Sequence, residues 1–341
     1  MRLAAIDVGS NSVHMIVADV GREGHLEVVD RVKEMVRLGR RTFTTGYLTQ
    51  EAMDLAVRSL VNFERLTRVR KVSRLRAVAT SAVREARNRT AFIRRIKRET
   101  GISLEVISGA EEAQLIFQAA RHALGLGGGP HLLIDVGGGS VEFVLARDGR
   151  PLWMRSVKLG VARLSERYLT DDPPTHAQLK RLEHHLEDEI GPLMRQVREA
   201  KVVRAVGTSG TINTLVAMAR AARGEEVGRL HGAKATASEL SRLCRDLLSA
   251  NSALRLELPG MDAKRVDLMP AAAALVDFVM RQSRAPMLVA CTWALREGLL
   301  LSLAKATSGH EADDVRRRSV NALAARFDGA DPHARQVARL A

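Results

Sequence analysis

Aromatic residues are scarce in this chain. Phe, Trp and Tyr make up 3% of the 341 residues, with two Trp and two Tyr. Proteins that bind single-stranded nucleic acid stack bases on clustered aromatic rings, and no such cluster occurs in the sequence. We therefore expect no nucleic-acid partner, and we expect cores built from Ala, Val, Leu, Ile and Met.

Cysteine and long apolar runs are also scarce. The two cysteines, Cys244 and Cys291, show no CxxC or Cys/His spacing of the kind that marks zinc sites, and isolated thiols fit a reducing compartment. The apolar stretch at 271–280 contains Asp277 and is too short to span a bilayer. The N-terminus lacks the pattern of a signal peptide. We expect a cytoplasmic protein with no membrane partner.

Negative charge is in deficit, since 53 Lys and Arg face 39 Asp and Glu, for a net charge of +14. An Arg-rich solvated surface explains this excess, and so does attraction to a polyanion such as a nucleotide or polyphosphate. Charge alone does not separate the two. The hydrophobic fraction of 46% is typical of a globular protein, and the length suggests about two domains.

The most informative feature that is present is an internal repeat. Residues 6–22 (IDVGSNSVHMIVADVGR) and 134–150 (IDVGGGSVEFVLARDGR) are identical at nine of seventeen positions without a gap. Each copy predicts a β-hairpin in which a Gly/Ser turn joins two apolar strands. Two copies of one unit predict two lobes that face each other across a cleft, with the two turns opposed.

The two turns are predicted to bind phosphate. Glycine leaves backbone N–H groups uncovered, and successive free N–H groups form an anion-binding nest. One such turn would be explained as an ordinary hairpin turn, but two equivalent turns favour binding. The residues predicted to contact phosphate are Ser10, Asn11 and Ser12 in the first turn and Gly137, Gly138, Gly139 and Ser140 in the second.

Acidic residues adjoin both turns. Asp7 and Asp135 end equivalent strands, and carboxylate with phosphate oxygens suits Mg²⁺. We predict a Mg²⁺ site there, with Mn²⁺ as the other metal that fits. Turn capping is the ordinary alternative for both residues. Where the first copy has His14, the second has Glu142, which either orients a water or metal or is an exposed strand residue.

Three further features lie where predicted strands end. Glu111 and Glu112 open a predicted helix, where they either interact with the helix dipole or supply a general base for attack at phosphorus. Arg84 suits bidentate phosphate binding as well as a helix surface. The GTSGT segment at 207–211 opens a helix whose N-terminus can bind an anion, although it lacks the lysine of a P-loop. Its candidate phosphate-binding residues are Gly207, Ser209, Gly210 and Thr211.

Seven ordered blocks resemble the exopolyphosphatase/guanosine pentaphosphate phosphatase (Ppx/GppA) family. They are AIDVGSNSVHMIV (5–17), ATSAVREARN (79–88), VISGAEEAQLIF (106–117), LIDVGGGSVEFV (133–144), AVGTSGT (205–211), LPGMDAKRVDLMPAA (258–272) and WALREGLLL (293–301). The chain is most similar to the short two-domain exopolyphosphatases of actinobacteria. The resemblance implies an α/β fold of the acetate and sugar kinase/Hsp70/actin superfamily, with two ribonuclease-H-like lobes around a central cleft.

The resemblance also implies roles for single residues. Glu112 matches the family's catalytic base, although the alignment leaves Glu111 open, and Glu142 matches the Glu that positions water or metal. Asp135 matches the metal-site Asp. The phosphate-loop positions match Gly9, Ser10, Asn11, Ser12, Arg84, Gly137, Gly138, Gly139 and Ser140.

The implied activity is Mg²⁺-dependent hydrolysis of the terminal phosphate of inorganic polyphosphate. The first alternative is removal of the γ-phosphate from guanosine pentaphosphate, with guanosine penta- or tetraphosphate as a ligand. A kinase of the same superfamily and a non-catalytic sensor of polyphosphate or alarmone are the others. The predicted lobes are 1–125 and 126–310, and 311–341 is predicted to be a helical tail that resembles the start of an HD-like extension. We also expect a homodimer, as related folds often form one.

Overall fold

The structure, a computed structural model, describes residues 1–21, 26–226 and 228–308, in which strands and helices alternate. The strands are β1 (Arg2–Val8), β2 (Ser12–Val20), β3 (Leu26–Met35), β4 (Arg74–Ala79), β5 (Leu104–Val106), β6 (Pro130–Val136), β7 (Val141–Arg147), β8 (Arg150–Val157), β9 (Arg204–Thr208), β10 (Lys234–Thr236) and β11 (Met287–Ala290). The helices are α1 (Thr42–Thr45), α2 (Gln50–Val69), α3 (Ser81–Glu85), α4 (Arg89–Thr100), α5 (Gly109–Leu124), α6 (Val161–Tyr168), α7 (His176–Ala200), α8 (Ser209–Ala222), α9 (Ala237–Ser249), α10 (Ser252–Glu257), α11 (Met269–Ser283) and α12 (Leu295–Ser308), and a 3₁₀ helix covers Ala263–Leu268.

The internal repeat forms two equivalent hairpins. β1 pairs antiparallel with β2, and β6 pairs antiparallel with β7. Asp7 lies opposite His14 in the first hairpin as Asp135 lies opposite Glu142 in the second. The two hairpins therefore have the register that the alignment of the two copies predicts, and each Gly/Ser turn connects the same two strand positions.

Each lobe is built on a sheet of the ribonuclease-H-like kind. The first sheet has the order β3-β2-β1-β4-β5, and the second has β10-β11-β9-β6-β7-β8. In both, three antiparallel strands are followed by strands parallel to the first one, β4 in one lobe and β9 in the other. Parallel strands end at the same edge of a sheet, so the turns after β1 and β6 lie beside the segments that follow β4 and β9. The predicted two-lobed α/β fold is confirmed.

Helix α2 covers the outer face of the first sheet. Thr49 caps it by accepting a hydrogen bond from the Ala52 N–H. Its buried face carries Ala52, Leu60 and Phe63, at helical spacing. Leu55 of the same helix is 36% exposed, so small alanines rather than Leu55 meet the sheet.

A middle core lies between the two sheets. Leu3 of the first sheet and Leu133 of the second belong to one buried cluster with α5 and α12. Helix α12 follows the second lobe in sequence but packs on α5 and β1 of the first. Gly298 permits the close approach, because a Cβ there would lie 2.2 Å from the Leu115 carbonyl oxygen. The predicted lobe 126–310 therefore ends with a helix that packs against the first lobe.

Three further features concern the C-terminal tail, membrane-spanning helices and the two cysteines. The helical tail predicted at 311–341 lies outside the described residues. Within the described residues no helix is long and apolar enough to cross a membrane. Cys244 and Cys291 are both free thiols and both buried.

Candidate active site

The Gly/Ser turns of both lobes line a single cavity of about 140 Å³. The turns touch, since a Cβ at Gly138 would lie 3.1 Å from the Ser10 Cβ. The predicted site residues that line the cavity are Asp7, Gly9, Ser10, Asn11, Ser12, Glu112, Asp135, Gly137, Gly138, Gly139, Ser140, Ser209, Gly210 and Thr211. Residues far apart in the sequence thus meet where the duplication predicts them to meet.

Three of the predicted site residues do not line this cavity. Arg84 lies behind Glu112 and donates to it. Glu142 is buried, 2% exposed, next to Asp135. Gly207 lies within β9 and packs against the core, where a Cβ would meet the Ile212 side chain at 2.4 Å. The structure gives Gly207 a packing role in place of the predicted phosphate contact.

The first turn, 9–12, directs its carbonyl groups away from the cavity. The Ser10 carbonyl accepts from the Gly39 N–H at 2.6 Å, and the Asn11 carbonyl accepts from Val36 and Arg37 at 3.1 and 2.8 Å. Within the described chain, the amide groups of Ser10 and Asn11 donate to no backbone carbonyl. Free amide groups beside satisfied carbonyls are the chemistry of an anion-binding nest.

The second turn, 137–140, has the same arrangement with other partners. The start of α6 donates to three successive carbonyls, Gly160 to Gly139 at 3.2 Å, Val161 to Gly137 at 3.0 Å and Ala162 to Gly138 at 2.9 Å. The amide groups of Gly138 and Gly139 have no backbone acceptor in the part of the chain that the structure describes. Both turns therefore offer unpaired N–H donors to an anion in the cavity.

Helix α8 begins at the cavity without a side-chain cap. Thr208 occupies the capping position, but its hydroxyl donates to Asp135 instead. The first-turn residues Ser209, Gly210 and Thr211 line the cavity, and Ser209 has a φ of 85°, a strained value for a residue with a side chain. Uncapped N–H groups at a helix start attract anions, so α8 adds a third set of donors.

The structure separates the two glutamates of α5. Glu112 lines the cavity at 6% exposure, and its Oε2 accepts from Arg84 Nη1 at 3.1 Å. Glu111 forms an ion pair with Arg76 at 2.7 Å, away from the cavity. Ser108 fixes this turn by accepting from the Glu111 N–H. Glu112 is therefore the one placed to act on a bound phosphate.

Four carboxyl groups lie close together at the site, three of them buried and that of Asp7 intermediate in exposure. Burial raises the pKa of Asp7 to about 7, of Asp135 to about 6 and of Glu142 to about 8, and it raises the pKa of Glu112 well above its usual range. Repulsion adds to this, from Asp135 on Asp7 and Glu142 and from Glu142 on Glu112. The protein alone therefore concentrates more negative charge here than it neutralises.

The donor set fits a divalent cation that is shared with a substrate. Asp7 Oδ1 and Glu142 Oε2 are buried without a hydrogen-bond partner. In residues 1–21, 26–226 and 228–308, no group of three or more His, Cys, Asp or Glu side chains is arranged to hold a metal by itself. Mg²⁺ is commonly held by one or two carboxylates with phosphate oxygens and waters, which is what Asp7 and Asp135 offer.

Ser12 of the first turn and Ser140 of the second turn have different neighbours. Arg296 Nη1 lies 3.0 Å from His14 Nδ1, and His14 Nε2 lies 2.6 Å from Ser12 Oγ. Because a guanidinium only donates, Nδ1 accepts and Nε2 donates to Ser12, which keeps its own hydrogen for a ligand. Burial and Arg296 lower the pKa of His14 well below its usual value, consistent with this neutral ring. Ser140 instead lies near Glu142, and its hydroxyl lowers the pKa of that carboxyl group.

Two arginines of the cavity were not singled out in the sequence. Arg265 and Arg296 both line it, and the Arg265 guanidinium lies against Gly210, where a Cβ would clash at 1.9 Å. The blocks at 258–272 and 293–301 contained them, but a residue pattern does not show which of their charged side chains turn inward.

Comparison with known proteins agrees with this geometry. Exopolyphosphatase 1 of Mycobacterium leprae is 35% identical over 302 residues, covering 88% of this chain and 89% of that protein. Exopolyphosphatase 2 of Mycobacterium tuberculosis is 33% identical over 315 residues, covering 89% of this chain and 98% of that protein. The chain thus aligns with nearly the whole length of both proteins.

Solved structures and a family sequence profile also match this chain. The crystal structure of an exopolyphosphatase from Cytophaga hutchinsonii superposes with a TM-score of 0.84 at 29% identity, covering 92% of this chain and all 100% of that one. The Aquifex aeolicus member of the Ppx/GppA family gives 0.77 at 28% identity, covering 91% and 99%. The profile of the Ppx/GppA phosphatase family matches residues 16–307. The chain therefore belongs to the Ppx/GppA phosphatase family.

Proposed function

We propose that this chain is an exopolyphosphatase, which hydrolyses the terminal phosphate of inorganic polyphosphate. The observation that carries the proposal is the meeting, in one cavity, of free backbone donors from both turns with the buried carboxyl group of Glu112. Membership of the family supports it, and so do the names of the relatives from Mycobacterium.

Binding of the terminal phosphate rests on neutral donors. The unpaired amides of Ser10, Asn11, Gly138 and Gly139 and the start of α8 surround the space that a phosphoryl group would fill. The Ser12 hydroxyl donates as well, because His14 occupies one of its lone pairs. Fixed donors of this kind hold the increasing charge of a transition state without reorganising.

Mg²⁺ fits beside Asp7 and Asp135, and when bound it would neutralise charge on the phosphate oxygens. Arg296 acts on the same two carboxyl groups, because its positive charge lowers the pKa of both. Ionised Asp7 and Asp135 are the forms that attract a cation, so Arg296 helps to keep the site ready for one.

Glu112 would act as the general base in this reaction. Its carboxylate accepts a proton from a water whose oxygen bonds to the terminal phosphorus, while the bridging P–O bond breaks on the opposite side. The products are orthophosphate and a chain shortened by one phosphate. The ion pair with Arg84 favours the ionised, proton-accepting form of Glu112.

Glu142 acts through Glu112 rather than on the substrate. It does not line the cavity, and its Oε1 accepts from Ser156 Oγ at 2.7 Å. Glu142 is one of the charges that raise the pKa of Glu112, so its protonation state influences the strength of the base.

Substitution of the two neighbouring glutamates tests the proposed base. Glu112→Gln removes the proton acceptor and keeps its size, so orthophosphate release from polyphosphate with Mg²⁺ should fall by about 10²–10⁴-fold. Glu111→Gln changes the same charge one residue away and should leave release within about twofold, since loss of an exposed ion pair has little effect. Equal turnover by Glu112→Gln and the wild type, with both folded, would remove Glu112 from the mechanism.

A further inference from the structure

A second pocket, of about 230 Å³, opens from the side of the active-site cavity. The two spaces share part of their lining, so they lie side by side. The shared residues include His14, Ser209, Gly210, Arg265 and Arg296. The second pocket adds Arg31 and Lys33, both from β3.

The pocket follows a row of side chains across the first sheet. Asp7 lies opposite His14 on β2, and His14 lies opposite Lys33 on β3. Directly opposed residues project from the same face of a sheet, and Arg31, two positions away, shares that face. The row therefore leads from the centre of the site to β3, the edge strand of this sheet.

The equivalent row of the second lobe has a different chemistry. There Asp135 lies opposite Glu142, and Glu142 lies opposite Ser156. The duplication thus pairs His14 with Glu142 and Lys33 with Ser156. The position of Lys33 is thus cationic, whereas the equivalent position in the second lobe is neutral.

The positive charge of the second pocket is incompletely balanced. Among the described residues none of those that line it is acidic. Arg31 and Arg265 have acidic partners, whereas Lys33 and Arg296 have no carboxylate within ion-pair distance in residues 1–21, 26–226 and 228–308. Partial burial and the neighbouring guanidinium groups of Arg265 and Arg296 lower the pKa of Lys33 to about 8, and the negative charge of Asp262 offsets this only in part.

We propose that this pocket binds the phosphates that follow the terminal one, so that the polyphosphate chain leaves the cavity past Arg296 and Arg265 towards Lys33 and Arg31. The proposal rests on the proposed function. A polyphosphate carries charge on every unit and has no apolar part, which matches a path of cations. No Phe, Tyr or Trp lines the pocket in the described chain, so it lacks the surface on which a nucleobase stacks.

Chain-length dependence tests the path. Lys33→Gln removes one charge from the path and leaves the cavity untouched. For long-chain polyphosphate the KM should rise about tenfold, as expected for loss of one hydrogen bond between charged groups. For tripolyphosphate, which extends least beyond the cavity, the rise should be several times smaller. Lys33→Arg keeps the charge and should restore most of the preference for long chains.

Lys180→Gln is the matched control, because Lys180 is exposed on α7 and lines neither the cavity nor the second pocket. It should behave as the wild type with both substrates. An equal loss on both chain lengths for Lys33→Gln, or no loss on either, would overturn the proposed path. So would impaired turnover of guanosine pentaphosphate with unchanged chain-length dependence, since the pocket would then take the nucleoside.

Binding separates failure of the path from failure of the proposed function. Affinity for long-chain polyphosphate is measured by titration calorimetry in a Glu112→Gln background, which does not depend on turnover. Weaker binding on addition of Lys33→Gln, but not of Lys180→Gln, supports the path even if the wild type releases no orthophosphate. Unchanged affinity rejects the path even if the enzyme is active.

Discussion

At the scale of single residues, the site is dominated by buried carboxyl groups that oppose one another. Asp7, Asp135, Glu112 and Glu142 are each at most intermediate in exposure, and burial raises the pKa of every one of them. A protein retains such a cluster at a cost in stability. Carboxyl groups in a cleft whose pKa values are shifted from the usual range are typical of functional sites. Here these groups lie at the active-site cavity.

The cost in stability of burying these carboxyl groups can be measured at Glu142. Its pKa is raised from 4.5 to about 8 in the folded protein, so the folded state favours the protonated form. A carboxyl group of this kind stabilises the fold below its unfolded pKa, and that contribution is lost as pH rises through the folded pKa. In metal-free protein, Glu142→Gln should therefore gain melting temperature relative to the wild type as pH rises from about 4.5 to about 8.

Thermal unfolding with a chelator present, at several pH values, measures the difference in melting temperature between Glu142→Gln and the wild type. Glu111→Gln is the control, because Glu111 lies in an exposed ion pair, and its difference from the wild type should be flat over the same range. Addition of Mg²⁺ should shrink the advantage of Glu142→Gln by compensating the wild-type carboxylates. A difference for Glu142→Gln that stays constant or falls with rising pH contradicts the assignment of an uncompensated buried charge.

The choice between Glu111 and Glu112 shows what the residue pattern did not contain. Both glutamates stand in the first turn of α5, and neighbouring residues of a helix point roughly 100° apart. Only the angle of α5 against the sheets decides which one faces the cavity. That angle depends on packing against β8 and α12, which a motif does not specify.

Arg296 was missed for a related reason. It meets His14 across 282 positions of the chain, and nothing local to either residue indicates that contact. Asp7, Asp135 and the two turns were predicted because the repeat itself encodes their relation. Sequence reasoning thus located the parts of the site that duplication produced and missed the side chains that α12 and the 3₁₀ helix bring to it.

At the scale of elements, the turns function because other segments hold their carbonyl groups. The start of α6 binds three carbonyls of the second turn, and the segment at 36–39 binds those of the first. The hairpins and their register were predictable from the repeat, whereas these supports lie outside the two aligned copies. Both supports follow the third strand of their sheet and have similar residues, VRLG at 36–39 and VKLG at 157–160. In both, the glycine N–H donates to a carbonyl of the turn, so the free amides of the two turns arise by similar means.

Gly160, which caps α6, shows how closely this support fits. A Cβ at this position would lie 2.2 Å from the Gly139 nitrogen, although its φ of −61° is ordinary for any residue. Gly160→Ala should displace the second turn, destabilise the protein by about 1–3 kcal/mol and raise the KM for polyphosphate by at least about tenfold. Thermal unfolding and orthophosphate release measure the two effects.

Gly127→Ala is the matched control, because a Cβ there meets no atom within 4 Å. It should leave both the melting temperature and the KM near those of the wild type. Wild-type turnover by Gly160→Ala would show that the contact between α6 and the second turn does not fix the phosphate site.

At the scale of the whole molecule, the two lobes are joined more closely than two separate domains would be. Residues of both sheets, α5 and α12 form one buried cluster, and Gly298 brings α12 against α5. The duplication predicted two lobes and their cleft. The duplication did not show that the helix after the second lobe would pack on the first, because this contact joins residues far apart in the chain.

The structure shows where part of the net charge of +14 lies on the molecule. Many of the arginines form ion pairs with neighbouring acids on the surface, such as Arg223 with Glu225 and Arg281 with Asp277. Lys33 and Arg296, which form no direct ion pair within the described residues, line the second pocket beside the cavity. An excess of charge that is focused on a cleft attracts a polyanion, whereas the paired surface does not.

Orthophosphate release from long-chain polyphosphate with Mg²⁺, measured beside guanosine pentaphosphate at matched concentration, tests the proposed exopolyphosphatase activity most directly. Release should be faster from polyphosphate, with chains shortened from the end and no mid-length fragments on a gel. Release from guanosine pentaphosphate alone, or fragments of intermediate length, would contradict the proposed activity.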